Sequence, residues 1–262
     1  MIRRHREPWR DAAVPEPNAA AVLDATDDRL RAAGIGWKVA SWTRAMREAF
    51  QYFPGDLRGK TLVELGGGRS GLNLFLGSLG CRLLCFDRRL DFSKECRELH
   101  HRHGVTCEHV LSDARRLALP RASVDFVVMK SVLGGVYSEF GRDGALACVA
   151  SVREVLKPGG AMIALEQLRG DPMTGWLRRV KYPSRRWHYF TIEEFTPGSP
   201  ESLIEGFAQV RCKAMTVTSH SAEDWLGHRS PLVRGAVAMD QVIEPMVPPN
   251  WRHLISVVAT AA

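Results

Sequence analysis

Apolar positions fall along this chain in two alternating periods. Short, nearly continuous apolar runs at Thr61–Leu65, Arg82–Phe86, Val105–Val110, Val124–Met129 and Ala161–Glu166 read as strands. The fourth is apolar almost throughout, as a strand buried on both faces requires. Between the runs, Leu72–Leu79, Leu90–His103 and Asp143–Leu156 space their apolar residues like helices, and Lys157-Pro158-Gly159-Gly160 is a stop signal. Strand alternating with helix predicts an α/β fold, a doubly wound and mostly parallel sheet with helices on both faces. Runs at Gln209–Thr218 and Leu254–Ala259 bring the strands to seven, with helices predicted at Glu201–Phe207 and Leu232–Ile243.

The flanks divide the chain. Residues 1 to about 20 are polar and read as an arm. From Ala20 to Phe53 the pattern is helical in two pieces, the first ending near Gly34-Ile35-Gly36. The second carries Val39, Trp42, Met46, Ala49, Phe50 and Phe53, and Pro54-Gly55 ends it. Residues 1–55 are therefore expected to be an arm and helical cap, and 56–262 one Rossmann-like domain. After the fifth strand the alternation breaks. Residues 168–200 hold four prolines and three glycines and read as an inserted lid over an acceptor.

Composition narrows the class. The 262 residues are 45% hydrophobic and 25% charged, ordinary for a globular chain, and no apolar run approaches membrane-spanning length. The basic N-terminus has no apolar segment behind it, so a cytoplasmic location is expected. Six scattered cysteines without a C-x-x-C pair read as buried free thiols, with no metal expected. The net charge is +7, and Arg169–Arg186 sets six basic residues against one acid. The positive field is thus local, suited to an anionic small molecule, an anionic lipid headgroup or RNA.

The candidate chemistry starts at Thr61-Leu62-Val63-Glu64-Leu65-Gly66-Gly67-Gly68-Arg69-Ser70-Gly71, a strand, glycine turn and helix start. By itself, this G-x-G-x-x-G spacing suits NAD or FAD equally. Asp87 ends the second strand sixteen residues after Gly71, where an acid can accept from ribose hydroxyls. Asp113 ends the third, where it can accept from an adenine amino group while the Ala114 N–H donates to a ring nitrogen. Glu64 precedes the turn, and burial there obliges it to find donors.

Val63–Gly68, Phe86-Asp87, Asp113–Pro120 with Ser123–Val128, and Glu154–Gly160 resemble, in order, four motifs of the class I S-adenosylmethionine-dependent methyltransferases, the seven-stranded Rossmann-like family. The resemblance runs from about Thr61 to Gln167 and more loosely through the last two strands. It implies S-adenosylmethionine as cofactor, held by Glu64, Gly66, Gly67, Gly68, Ser70, Asp87, Arg88, Asp113, Ala114 and Lys130. Two positions depart from the family pattern. Ser70 stands where the third glycine is usual, and Gly134-Gly135 stand where many relatives carry a histidine pair.

A base for a hydroxyl or amine acceptor must therefore come from elsewhere, and His188 and His220 are the candidates. Lys130 is expected to point outward or to meet an acidic acceptor. Ser131, Tyr137, Glu166, Trp176, Arg186 and Tyr189 are the candidate acceptor wall. The expected function is metal-independent, in-line methyl transfer to oxygen or nitrogen of a small molecule, an anionic metabolite among the options. Nucleic acid is not the expected partner. The alternatives are an RNA methyltransferase and a catalytically inactive cofactor-binding subunit.

Overall fold

A computed structural model of the protein describes residues 19–54, 56–68, 71–184 and 187–262. The expected N-terminal arm, Gly55, Ser70 and Arg186 lie outside the described residues, apart from the last two residues of the arm's approximate span.

Three helices come first, α1 (Ala19–Ala25), α2 (Asp28–Ile35) and α3 (Val39–Phe50). The sequence pattern had merged the first two. Asp27 separates them, its carboxylate accepting from the Arg29 and Leu30 N–H groups as an N-cap. The alternating region follows: β1 (Thr61–Leu65), α4 (Asn73–Leu76), β2 (Arg82–Asp87), α5 (Leu90–Arg102), β3 (Glu108–Leu111), β4 (Val124–Lys130), α6 (Leu133–Val155) and β5 (Leu156–Gln167). The chain ends with α7 (Pro172–Lys181), β6 (Gln209–Met215), α8 (Ser219–Leu226), α9 (Pro231–Ile243) and β7 (Leu254–Thr260).

The seven strands form one sheet in the order β3-β2-β1-β4-β5-β7-β6. The first five pair in parallel, while β7 runs antiparallel to both neighbours, with Ile163 opposite Val258 and Cys212 opposite Val257. The period-two rule sorts each strand between two cores. Val63, Leu65, Val127, Met129, Met162 and Ala164 face α6. Leu62, Val128, Ile163 and Leu165 face the other side, where Trp42, Met46 and Phe50 of α3 cover them. The strand order reverses between β1 and β4, and a crevice opens there at the carboxyl ends of the strands.

Four local expectations are corrected. No helix forms at 201–207, because adjacent Leu203 and Ile204 are both buried and Gly206 adopts φ 84°. The predicted third strand begins later, at Glu108. α6 begins ten residues earlier than its apolar pattern suggested, with a break at Gly141 (φ 68°, ψ −168°). The Lys157–Gly160 stop signal lies inside β5, where the register against β4 shifts. α7 and α8 had no sequence forecast, being short and largely polar.

Candidate active site

The glycine turn is shaped by close approach. Gly66 has φ 67°, its N–H donates to the Phe86 carbonyl at 2.7 Å, and a Cβ on it would stand 2.7 Å from Val132 Cγ2. Gly68 has φ 61° and donates its N–H to Asp87 Oδ2 at 3.0 Å, while Arg89 N–H donates to Oδ1 at 2.8 Å. Asp87 is thus fixed by one backbone donor per oxygen, with acceptor capacity left on both.

A cavity of about 350 Å³ opens beside this turn, lined by Gly66, Gly68, Asp87, Arg88, Asp113 and Ala114 among others. Asp113 is held by Arg115, whose Nε and Nη2 donate to its carboxylate and whose guanidinium lies over the Phe140 ring. This pairing, aided by the Arg115 N–H, holds the Asp113 carboxyl below its usual range. Arg88 is paired with Glu139. Gly67 is buried beside the lining residues without belonging to them.

This cavity passes a simple test for an adenosine. It offers a Cβ-free turn for close approach, a backbone-fixed carboxylate at one strand end, an ionised second carboxylate, and the Phe92 and Phe140 rings in the same lining.

Two acids expected here do something else. Glu64 is buried, and its oxygens accept from the Leu72 and Asn73 N–H groups at 2.7 and 3.1 Å, capping the turn that leads into α4. Glu166, expected as an acceptor wall, is fully buried and accepts from the Val132, Leu133 and Gly134 N–H groups at the start of α6. Each satisfies N–H groups that a helix start leaves unpaired. Desolvation raises both carboxyls to about 7. Lys130, expected to point outward, instead places its ammonium over the Trp37 and Trp42 rings within the fields of Glu64 and Glu166. Burial lowers it to about 8. None of the three lines the cavity.

Ser131 does line the cavity, in a left-handed conformation (φ 59°) that a non-glycine residue adopts only when its surroundings hold it. Here its N–H donates to the Leu165 carbonyl and its Oγ accepts from Gln167 Nε2 at 3.1 Å. Gln167 borders a second cavity of about 360 Å³ with Trp37, Lys38, Arg178, Tyr182, Tyr189, Glu223 and Asp224. A third, of about 370 Å³, shares Arg178, Tyr182 and Tyr189 and adds Arg169, Arg179, Trp187 and His188. Trp187 lines both the first cavity and the third.

The two candidate bases part company. His188 stacks on Tyr137 and its Nε2 lies 2.9 Å from Glu194 Oε1. His220 is fully buried against His253, lines none of the three cavities, and is held well below its usual pKa by desolvation. Trp176 is 60% exposed and lines none of them either, which corrects its place in the acceptor wall. Arg178, Tyr182 and Trp187 fall in the insertion expected to wall the acceptor, whereas Trp37, Lys38 and Gln167 were missed. Gln167 directly follows Glu166 at the strand end. Lys38 carried no sequence signal, since its place depends on how α3 packs.

Residues 63–164 match the model of a methyltransferase domain family. A search of curated proteins by sequence found no significant match. Among solved structures, the chain is similar to phosphoethanolamine N-methyltransferase 2 of Haemonchus contortus, solved with phosphomonomethylethanolamine and S-adenosylhomocysteine, at 15% identity and TM-score 0.57. That match covers 84% of this chain and 52% of the other, so the chain spans about half the length of that relative. It is similar to a SAM-dependent methyltransferase of Methanosarcina mazei at 16% identity and TM-score 0.52, covering 80% and 95%. It is also similar to the [4+2]-cyclase SpnF at 14% identity and TM-score 0.54, covering 85% and 80%, so the fold by itself does not fix the reaction. At these identities the structural likeness carries the architecture alone. Residues 63–164 are thus similar to a methyltransferase domain, and the fold around them is the one that solved S-adenosylmethionine-dependent methyltransferases share.

Proposed function

We propose that the protein transfers a methyl group from S-adenosylmethionine to an oxygen or nitrogen of a small anionic acceptor held among Arg169, Arg178, Arg179, Tyr182, His188 and Tyr189. The observation that carries this reading is Trp187, which lines both the cavity of Asp87 and Asp113 and the basic cavity of the arginines. Two chambers that share a wall are what a direct transfer between donor and acceptor needs.

When bound, the cofactor supplies an electrophilic methyl carbon on a sulfonium. The residues around it bind and orient. Asp87 accepts from the ribose hydroxyls and Asp113 from the adenine amino group, while the glycine turn admits the ligand close to its backbone. Ser131, held by Gln167, marks the passage toward the acceptor.

On the acceptor side, Arg178 donates to the Leu168 and Arg169 carbonyls and stands over the Tyr189 ring, so it shapes the wall. Arg169 and Arg179 then offer donors for a phosphate or carboxylate. His188 is the base of this reading. With Nε2–H donating to Glu194, Nδ1 is left as the acceptor, and it takes the proton as the new C–O or C–N bond replaces C–S. The phosphorylated ligand of the Haemonchus enzyme supports an anionic acceptor here by analogy alone.

The test is to incubate the enzyme with methyl-labelled donor and a cell extract, then identify the labelled product by mass. A labelled anionic metabolite supports the reading. Label found only in RNA would replace it with the nucleic-acid alternative.

A further inference from the structure

Three of the six cysteines and two of the nine histidines meet at one place outside both chambers. Cys85 lies in β2. Cys96 and His100 are one turn apart on α5 and so share a face. Cys107 and His109 stand at the start of β3. Cys85, Cys96 and His100 are buried, while Cys107 and His109 are half-buried and give a way in from solvent.

The distances suit a metal. Cys85 Sγ and Cys96 Sγ are 3.8 Å apart, Cys96 Sγ and His100 Nε2 are 3.9 Å apart, and His100 Nδ1 is 3.0 Å from His109 Nε2. One ligand atom from each of Cys85, Cys96 and His109 falls within 4.8 Å of the others. A tetrahedral zinc ion with Zn–S bonds of about 2.3 Å sets its sulfurs about 3.8 Å apart. His109 Nδ1 is moreover buried without a hydrogen-bond partner among the described residues, a donor atom with nothing assigned to it.

We propose that Cys85, Cys96 and His109 bind a zinc ion, with His100 and Cys107 beside them. Thiolate and imidazole donors select zinc over the hard cations, and its place outside both chambers keeps the ion out of the methyl transfer. Binding releases the two thiol protons to solvent. The role goes beyond methyl transfer and does not depend on it.

The position gives the ion a consequence. A Cβ on Gly71 would stand 2.6 Å from His100 Nε2 and 3.3 Å from Cys96 Sγ, so the end of the glycine turn rests on this cluster. Asn73, whose N–H caps onto Glu64, also lies 3.4 Å from Cys107 Sγ through its Nδ2. Zinc here ties β2, α5 and β3 together directly behind the cofactor turn.

The experiment uses the full chain purified without chelator, with zinc measured by mass spectrometry before and after incubation with Zn²⁺ alone, followed by gel filtration. About one zinc per chain is expected. Cys85→Ser, Cys96→Ser and His109→Ala should each weaken zinc retention by about tenfold or more, whereas Cys81→Ser and Cys212→Ser keep it. Should the core variants fail to fold, Co²⁺ titration of the unaltered protein decides. Thiolate-to-cobalt charge-transfer absorption with tetrahedral d–d bands supports the site, and octahedral cobalt without charge transfer overturns it. Zinc below about a tenth of an equivalent after loading, retention unchanged in the Cys85 and Cys96 variants, or an intact mass showing two hydrogens lost to a Cys85–Cys96 disulfide would each overturn the proposal as well.

Discussion

His188 lies flat on Tyr137, with ring centroids 3.6 Å apart and planes 12° apart, while its Nε2 meets Glu194. A ring clamped on one face and tethered at one nitrogen has a single orientation to offer. With its other nitrogen, Nδ1, as the base, His188→Ala should lower kcat by about a hundredfold or more while cofactor affinity stays within about twofold. Glu194→Gln, which keeps a partner but removes the charge, should lower kcat less than His188→Ala does. Steady-state kinetics beside cofactor titration checks this. A His188→Ala enzyme of full kcat would place the base elsewhere.

Asp87 has two tasks, since it orders Gly68 through its N–H and faces the cavity. Asp87→Ala is expected to weaken cofactor binding by at least about tenfold, because hydrogen bonds to a charged acceptor contribute about 1.5–3 kcal/mol each. Calorimetric titration with S-adenosylhomocysteine measures it. Unchanged affinity would remove Asp87 from the site.

Gly66→Ala tests the turn itself. The new methyl would need a positive φ and a 2.7 Å approach to Val132 Cγ2. A loss of about 1 kcal/mol from the backbone alone is expected, with more from the contact. Thermal melting and cofactor titration should both show it. The double variant with Val132→Ala should recover the steric part only.

Glu64, Lys130 and Glu166 set a pH dependence of stability. Both carboxyls rise to about 7 from an ordinary 4.5, so folding takes up protons between those values and stability falls as pH rises through that window. Lys130 drops to about 8 from 10.5, so folding releases a proton between those values and stability recovers as pH rises further. The three together contribute least near pH 7–8. Glu166→Gln should flatten the fall of Tm between about pH 5 and 7 and lower Tm throughout, since one oxygen of its cap becomes a donor. A Tm–pH profile of unchanged slope would refute the assignment.

Arg169→Ala and Arg179→Ala should raise the acceptor KM by about tenfold each while leaving cofactor affinity alone, given the strength of a charge-assisted hydrogen bond. Added salt should weaken acceptor binding in the parent enzyme more than in either variant. Equal KM values in all three would move the acceptor to the cavity of Lys38 and Gln167.

Periodicity and turn chemistry are local, and they were sufficient for the strand–helix alternation, the glycine turn and the two acids at the ends of β2 and β3. Each of those rests on residues close in sequence, so each was legible before any packing was known. For Glu64 the need for N–H donors was legible, and Leu72 and Asn73 supply them. The partners of Glu166 were not, because a buried carboxylate takes whichever donors its neighbours present, here the helix N–H groups brought up at Val132. Lys130 went to Trp37 and Trp42 for the same reason, since α3 packs over that face of the sheet. Trp187 as a shared wall, the separation of His188 from His220, and the meeting of Cys85 with Cys96 and His109 depend on distances between elements far apart in the chain. Spacing along a sequence carries no such distances, and only the closing of the sheet and the docking of its helices created them.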